Sequence, residues 1–435
     1  MDHKTIVKNF LEKHNMYYDQ IDAKEAVEAF RQEMDDGLAA KPGCSLKMIP
    51  THVSLDHIIF EDKKVIVMDA GGTNLRVALV NFDSKGNAGI EYQKTYPMLG
   101  TNGEISKEEF FDQLTEYIRP VADQSQRIGF CFSFPTEILP NRDGKLIHFD
   151  KEVKVTGMEG EKIGENLLRV LNEKHLGPIE SCVLINDTVA TLLGGKAKGT
   201  SKEFDSYIGF ILGTGTNTCY IEENANIRKN TRIAAVPGTQ IVNIESGGYG
   251  KAPRSDLDDI FDAGTGSPHT QLFEKMISGA YQGGLLLTIL KRAADEALFT
   301  PATERNIKNI KELTGEEIDK FCKNPYSSNV ISESIADEED RTRVYLITDA
   351  FYERVACLTA VDLAATILKS GKGKNPCRPV CISAEGTTFY KSVFFRPKLD
   401  RYVSELLNRR LGIYCDFIKT ENANIIGTAV AGMLG

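Results

Sequence analysis

This sequence predicts an α/β protein built from two related halves. Three observations carry that reading. Residues 65–80, VIVMDAGGTNLRVALV, read as two short strands joined by a glycine turn. A second unit of the same kind lies far along the chain, where the strand 207–212 enters Gly213-Thr214-Gly215-Thr216-Asn217 and a strand resumes at 218–221. Between and after these units, apolar strand-like runs alternate with stretches of helical periodicity.

The first unit has a β-branched run, Val65, Ile66 and Val67, suited to a strand buried on both faces. Gly71 and Gly72 let the backbone reverse and approach a ligand closely. Thr73 offers a hydroxyl, and its neighbours offer backbone N–H groups to an anion. Asp69, at the end of the first strand, is placed to face a metal–phosphate complex. A single glycine hairpin of this kind recurs by chance. Two of them are far more specific, and they point to half-sites that clamp one polyphosphate. No G-x-x-x-x-G-K-[ST] occurs, so a P-loop nucleotide site is excluded.

Composition narrows the class. The chain has 435 residues, enough for one large or two medium domains, and 41% are hydrophobic, enough for a sizeable core. A net charge of -9 gives no reason to expect nucleic acid or an anionic membrane as partner. The nine cysteines are odd in number and form no CxxC pair, so buried reduced thiols in a cytoplasmic protein are expected rather than zinc. The first residues, MDHKTIVKNFLEKH, lack the apolar run of a signal peptide. No stretch of about eighteen apolar residues is long enough to span a membrane.

Taken in order, Asp22 and Glu25 form a capping pattern ahead of Val27, Phe30, Met34 and Leu38 at helical spacing, with Gly37 as a stop. Residues 39–47 are a loop, and 45–53 lead towards the strand at Val65. Ser106 and Glu109 cap a helix whose apolar face is Phe110, Leu114, Tyr117 and Ile118. IGFCFSFP, 128–135, is a buried strand with Ser133 at its end, where α/β proteins commonly place ligand contacts. A turn serine is the simpler account of Ser133 alone. A loop with Asp150, Lys151 and Lys154 follows, then a helix with Ile163, Leu167, Val170 and Leu171 on one face.

The strand 182–186 runs straight into Asp187, and VATLLGG continues as a helix. A carboxylate there can face a cleft, or it can simply cap the helix. Residues 242–245 form a short strand ending in Glu245. Residues 271–289 read as one helix, in which Glu274 falls between apolar positions. Residues 300–340 are polar and weakly periodic. A long core helix spans 341–368, a strand spans 378–383 and breaks at Glu385-Gly386-Thr387-Thr388, and a charged amphipathic helix covers about 396–411. The last strand is 413–418, and a small-residue helix covers 424–434.

These blocks, in this order, resemble the ATP-dependent hexokinase family of the eukaryotic type. MDAGGTNLRVALV resembles its first phosphate loop. EMDDGL with SLKMIPT, GFCFSFP, LINDTVATLL, GFILGTGTNTCYIEE, VNIESGGYG and QLFEKMISGAYQGG resemble its other segments, across nearly the whole chain. The resemblance implies a two-lobed, actin-like (ribonuclease H-like) fold with a cleft between a small and a large lobe. The small lobe would hold 60–190 with 420–435, and the large lobe 1–59 with 191–419. Hexose and Mg-ATP would be the substrates, in a monomer or homodimer.

Carried over residue by residue, Ser133, Lys151, Asn186, Asp187, Asn217, Glu245 and Glu274 would contact the sugar. Asp69, Gly72, Thr73, Asn74 and Arg76 would form the first phosphate loop, and Gly213, Thr214, Gly215 and Thr216 the second. Gly386 and Thr387 would lie near the adenosine. Asp187 would be the general base, and Lys151 would neutralise charge. Mg²⁺ would be carried by ATP, with Asp69 reaching it through water. Three places depart from the family pattern. Phe149 and Asp150 stand for a tryptophan and a threonine, Ser246 stands for a tryptophan, and NANIIGTAVAG replaces a glycine-rich adenosine segment. A sugar sensor on the same fold and an actin-like ATPase are the rival classes.

Overall fold

The computed structural model describes residues 2–55, 63–84, 86–149, 153–198 and 202–434. Asp150 and Lys151 lie outside the described residues. Each glycine turn begins one sheet. In the first sheet, Lys63–Ala70 and Asn74–Phe82 pair antiparallel, and Ala88–Pro97 extends the hairpin. Arg127–Phe132 and then Ser181–Ile185 add parallel on the other side, giving five strands. The second sheet repeats that plan. Ser206–Leu212, Thr216–Glu223 and Thr239–Asn243 form an antiparallel meander. Val380–Glu385 and Cys415–Ile418 add parallel beside Ser206–Leu212. The short Ile49–Pro50 strand pairs with the far edge and completes six. Both sheets therefore share one strand order and one pattern of directions, as expected for the actin-like ATPase fold.

Two helices lie between the sheets. The Asp187–Ala197 helix packs on the six-stranded sheet, and the Ala423–Gly432 helix packs on the five-stranded one. Their faces are made of small residues, so the two backbones nearly touch. A Cβ on Gly427 would sit 1.8 Å from the Ala190 carbonyl oxygen, and one on Gly194 would sit 2.4 Å from that of Ala423. Around this contact, Val65 and Val67 from one sheet, Cys219 and Ile241 from the other, and Val189, Leu192 and Val430 from the helices form one apolar layer. Burial of such surface stabilises the contact by about 25 cal/mol per Å².

The local expectations mostly hold, with informative exceptions. Asp22 caps the Ala23–Leu38 helix through the N–H groups of Lys24 and Glu25, and Ser106 with Glu109 forms a capping box. Gly37 does not stop its helix. It lies in the last turn, where a Cβ would meet the Leu46 carbonyl oxygen at 2.5 Å. The helix expected over 271–289 is two helices, Leu272–Ile277 and Gly279–Asp295, broken at Ser278, which is extended. The break lets Gly279 and Ala280 donate their N–H groups to the carbonyls of Gly213 and Thr214, at 2.8 and 3.1 Å. Residues 300–340, weakly patterned in sequence, contain the helices Pro301–Asn309, Gly315–Lys323 and Val330–Ser334, each burying one or two large apolar side chains such as Ile307, Phe321 and Ile331. The long helix is Glu338–Ser370, and no described helix is long and apolar enough to cross a membrane. No cysteine is in a disulfide. Six are buried, whereas Cys377 is exposed.

Candidate functional site

A cavity of about 550 Å³ opens between the two sheets. Ser133, Asn186, Asp187, Asn217, Glu245 and Glu274 all line it, although they come from five separate segments of the chain. Each is held by its own element. Ser133 follows Arg127–Phe132, and its N–H donates to the Ala70 carbonyl at 3.1 Å, which ties it to the first glycine hairpin. Asn186 ends the Ser181–Ile185 strand and caps the next helix by accepting the Thr188 N–H at 2.8 Å. Asp187 is therefore not the cap. It is the first helical residue, and its carboxylate accepts the Thr188 hydroxyl at 3.3 Å.

Three polar side chains of the cavity lining brace one another. Asn217 donates to Asn243 at 2.8 Å and to Glu245 at 3.5 Å, and Asn243 donates to Glu245 at 2.8 Å. Glu245 has φ +59, a left-handed conformation that costs a non-glycine residue about 1 kcal/mol or more and is common at ligand sites. Gln271, with φ +47, shares that conformation and also lines the cavity. Sequence reasoning passed over Gln271 and Asn243. Gln271 precedes an apolar run and reads as an ordinary helix start, while its left-handed φ leaves no trace in composition. Glu274 accepts the Thr216 N–H at 2.9 Å.

The second glycine turn borders this cavity. Gly215 and Thr216 line it, while Gly213 and Thr214 line an adjoining cavity of about 470 Å³ together with Thr387 and Lys391. Gly386 abuts the turn from behind, where a Cβ on Gly213 would lie 3.3 Å from the Gly386 Cα. The Thr216 hydroxyl points inward and donates to the Ile211 carbonyl at 3.0 Å, whereas the Thr214 side chain is exposed. The first turn, with Gly72 and Thr73, lines neither cavity. There Arg76 donates to the Asp69 carboxylate at 3.0 Å, and Asn74 donates to the Thr73 hydroxyl at 3.1 Å. A Cβ on Gly72 would meet nothing, so this turn presents open backbone.

The carboxyl of Asp187 is perturbed. Burial pushes its carboxyl up to about 6, and the nearby carboxylates Asp69 and Glu245 push the same way, against the bonds from Thr188. Asp69 is also raised by burial, and the Arg76 guanidinium opposes the shift. Among the described residues, no group of three or more His, Cys, Asp or Glu is arranged to hold a metal ion. A donor set of glycine-turn N–H groups and isolated carboxylates fits a cation that arrives already bound to phosphate.

Two hexokinase family models match the chain, over residues 6–197 and 207–434. Human Hexokinase-2 is 29% identical over 93% of this chain and 46% of its own length. The chain thus spans about half the length of the mammalian relatives it matches. Hexokinase-2 of Solanum tuberosum is 27% identical over 94% of this chain and 86% of its own length. Among solved structures, a Schistosoma mansoni hexokinase complexed with glucose superposes with a TM-score of 0.80 at 21% identity, each chain covered in full. A ROK hexokinase from Thermus thermophilus gives a TM-score of 0.51 at 15% identity, over 85% of this chain and 98% of its own.

Proposed function

We propose that this chain, which belongs to the hexokinase family, transfers the γ-phosphate of Mg-ATP to the 6-hydroxyl of a hexose such as glucose. One observation carries the reading. Asp187, raised towards neutrality and freed from capping by Asn186, stands in one cavity with Ser133, Asn217, Glu245 and Glu274, beside the 213–215 turn.

That arrangement suits phosphoryl transfer to an alcohol. A sugar hydroxyl is a poor nucleophile until its proton has an acceptor, and a carboxylate with a pKa near 6 is ionised at neutral pH yet basic enough to serve. Asn186, Asn217, Glu245 and Glu274 offer donors and acceptors to a ring of hydroxyls. A ligand lacking one hydroxyl would leave a buried polar group unmatched, which gives selectivity. The 213–215 turn, locked by Gly279 and Ala280, offers fixed backbone to the phosphates. Thr387 and Lys391 border the adjoining cavity, where the adenosine would lie. The first turn would join the phosphates once the two sheets approach each other. Lys151 would neutralise charge on the transferring group, and magnesium, bound with ATP, would supply further charge neutralisation.

The test is ADP release measured across glucose, mannose, fructose, glucosamine and N-acetylglucosamine. Release that depends on one or more of these hexoses is expected. ATP turnover indifferent to sugar would replace the proposal with an ATPase, and hexose binding without ADP release would replace it with a sensor.

A further inference from the structure

Behind the wall that holds Asn217 and Glu245, a carboxyl group is sealed into the core. Asp362 belongs to the Glu338–Ser370 helix and is wholly buried, as are Thr218, Ser246 and Thr366 around it. Its Oδ2 accepts the Thr218 hydroxyl at 2.7 Å, and its Oδ1 faces the Thr366 hydroxyl at 3.4 Å. Ser246 donates to the Thr218 hydroxyl oxygen at 3.3 Å. No lysine or arginine among the described residues pairs with this carboxyl. A buried acid without a cation is costly, and well-packed apolar groups usually serve stability better at such a place.

What the acid does touch leads to the cavity. Thr218 and Ser246 give their backbone N–H groups to one atom, the Asn217 Oδ1, at 2.7 and 3.3 Å. That contact fixes which way the Asn217 amide faces, so its Nδ2 must point to Asn243 and Glu245. Ser246 also follows directly after Glu245 and its left-handed backbone. One carboxyl therefore anchors both ends of the segment pair that presents Asn217 and Glu245. Burial raises its pKa to about 6, in keeping with the missing cation.

We propose that Asp362 is a positioning residue for the hexose pocket, acting through Thr218 and Ser246 to hold Asn217 and Glu245 in register for the sugar hydroxyls. The assignment rests on the hexose-site reading above. It does not place Asp362 on the substrate or on the transferred phosphate. It implies that the residue governs sugar affinity and leaves the nucleotide side alone.

The experiment compares wild type with Asp362→Leu, Asp362→Asn and Thr218→Val in ADP-release kinetics, glucose calorimetry and thermal unfolding. Leu removes the acceptor without leaving a hole, and it should raise the KM and Kd for hexose about tenfold or more. The KM for ATP and turnover at saturating hexose should stay at wild-type values, with no loss of Tm. Asn keeps an acceptor for the Thr218 hydroxyl and should retain wild-type hexose affinity. Thr218→Val cuts the same link from the other end and should reproduce the Leu phenotype, which carries the test if Leu does not fold. Hexose KM unchanged in Leu and Val, in an enzyme whose wild type is hexose-dependent, overturns the assignment alone. A wild type with no hexose dependence overturns the functional reading beneath it.

Discussion

Asn186 and Asp187, adjacent at the start of one helix, stand in different places. Asn186 takes the capping bond from Thr188 at 2.8 Å, and Asp187, one residue on, turns its carboxylate to the cavity. Adjacent residues of similar shape thus differ in contacts, one tied into the cap and the other turned to the cavity, and that separation makes the first prediction sharp.

Asp187→Asn should keep the fold and most of the hexose affinity, because Asn is nearly isosteric and still accepts a hydrogen bond. Turnover should fall by roughly 10²–10⁴-fold, the usual range for loss of a general base. Calorimetry with glucose and phosphorylation rates on the same preparation check this. Near-normal turnover would remove Asp187 from the mechanism.

The raised carboxyl sets a pH profile. Asp187 must be ionised to accept a proton, so activity should be level above neutrality and fall about tenfold per pH unit below about 6. Its folded pKa lies above the unfolded value of about 3.9. Its contribution to stability is therefore present below that lower value and is lost as pH rises through about 6. Asp187→Asn, uncharged throughout, should raise Tm at pH 7 but not at pH 3. An equal Tm change at both pH values would show that burial does not raise this carboxyl.

Thr214→Val should damage ATP use more than sugar binding. The side chain is exposed at the second turn and lines the adjoining cavity. Losing a hydrogen bond to a charged phosphate costs about 1.5–3 kcal/mol, or roughly 10- to 150-fold in kcat/KM for ATP. Equal loss of glucose affinity in calorimetry would show that the turn serves the sugar instead.

Gly427→Ala should destabilise the whole molecule. Its Cβ would lie 1.8 Å from the Ala190 carbonyl, and neither helix backbone can give way without moving a sheet. About 3 kcal/mol of lost stability in urea unfolding is expected, the upper end for overpacking. A midpoint at the wild-type value would mean that these helices separate easily.

Saturating glucose should compact the protein in small-angle scattering. The two glycine turns stand on different sheets, and only the second borders the cavities. The first must therefore approach before both can hold one polyphosphate. An unchanged radius of gyration would count against sugar-driven closure.

Much of this molecule was legible in local sequence. The glycine hairpins, the caps at Asp22 and Ser106 and the buried strands depend on residues within a few positions of one another, and local propensity with periodicity reads such patterns directly. The break at Ser278 was not legible, because its cause is a pair of hydrogen bonds to Gly213 and Thr214, far back in the chain. The helices within 300–340 were missed because so few of their residues are apolar. Gln271 was missed because neither its left-handed φ nor its place in the cavity lining is written in local composition.

By itself, the sequence determined the two sheets, the family to which the chain belongs and the residues eligible for chemistry, since each is written in short ordered blocks. Only the tertiary structure decided which of them meet. It brought Ser133, Asn186, Asp187, Asn217, Glu245 and Glu274 to one cavity, left the first turn apart from it, and raised Asp187 by burial beside two other carboxylates. It also revealed Asp362, which in sequence is one acid in a long apolar helix and in space stands behind the pocket wall. The physical reason is common to all of these. Desolvation, charge coupling and hydrogen-bond direction depend on neighbours in space, and the chain supplies those neighbours only after it has folded.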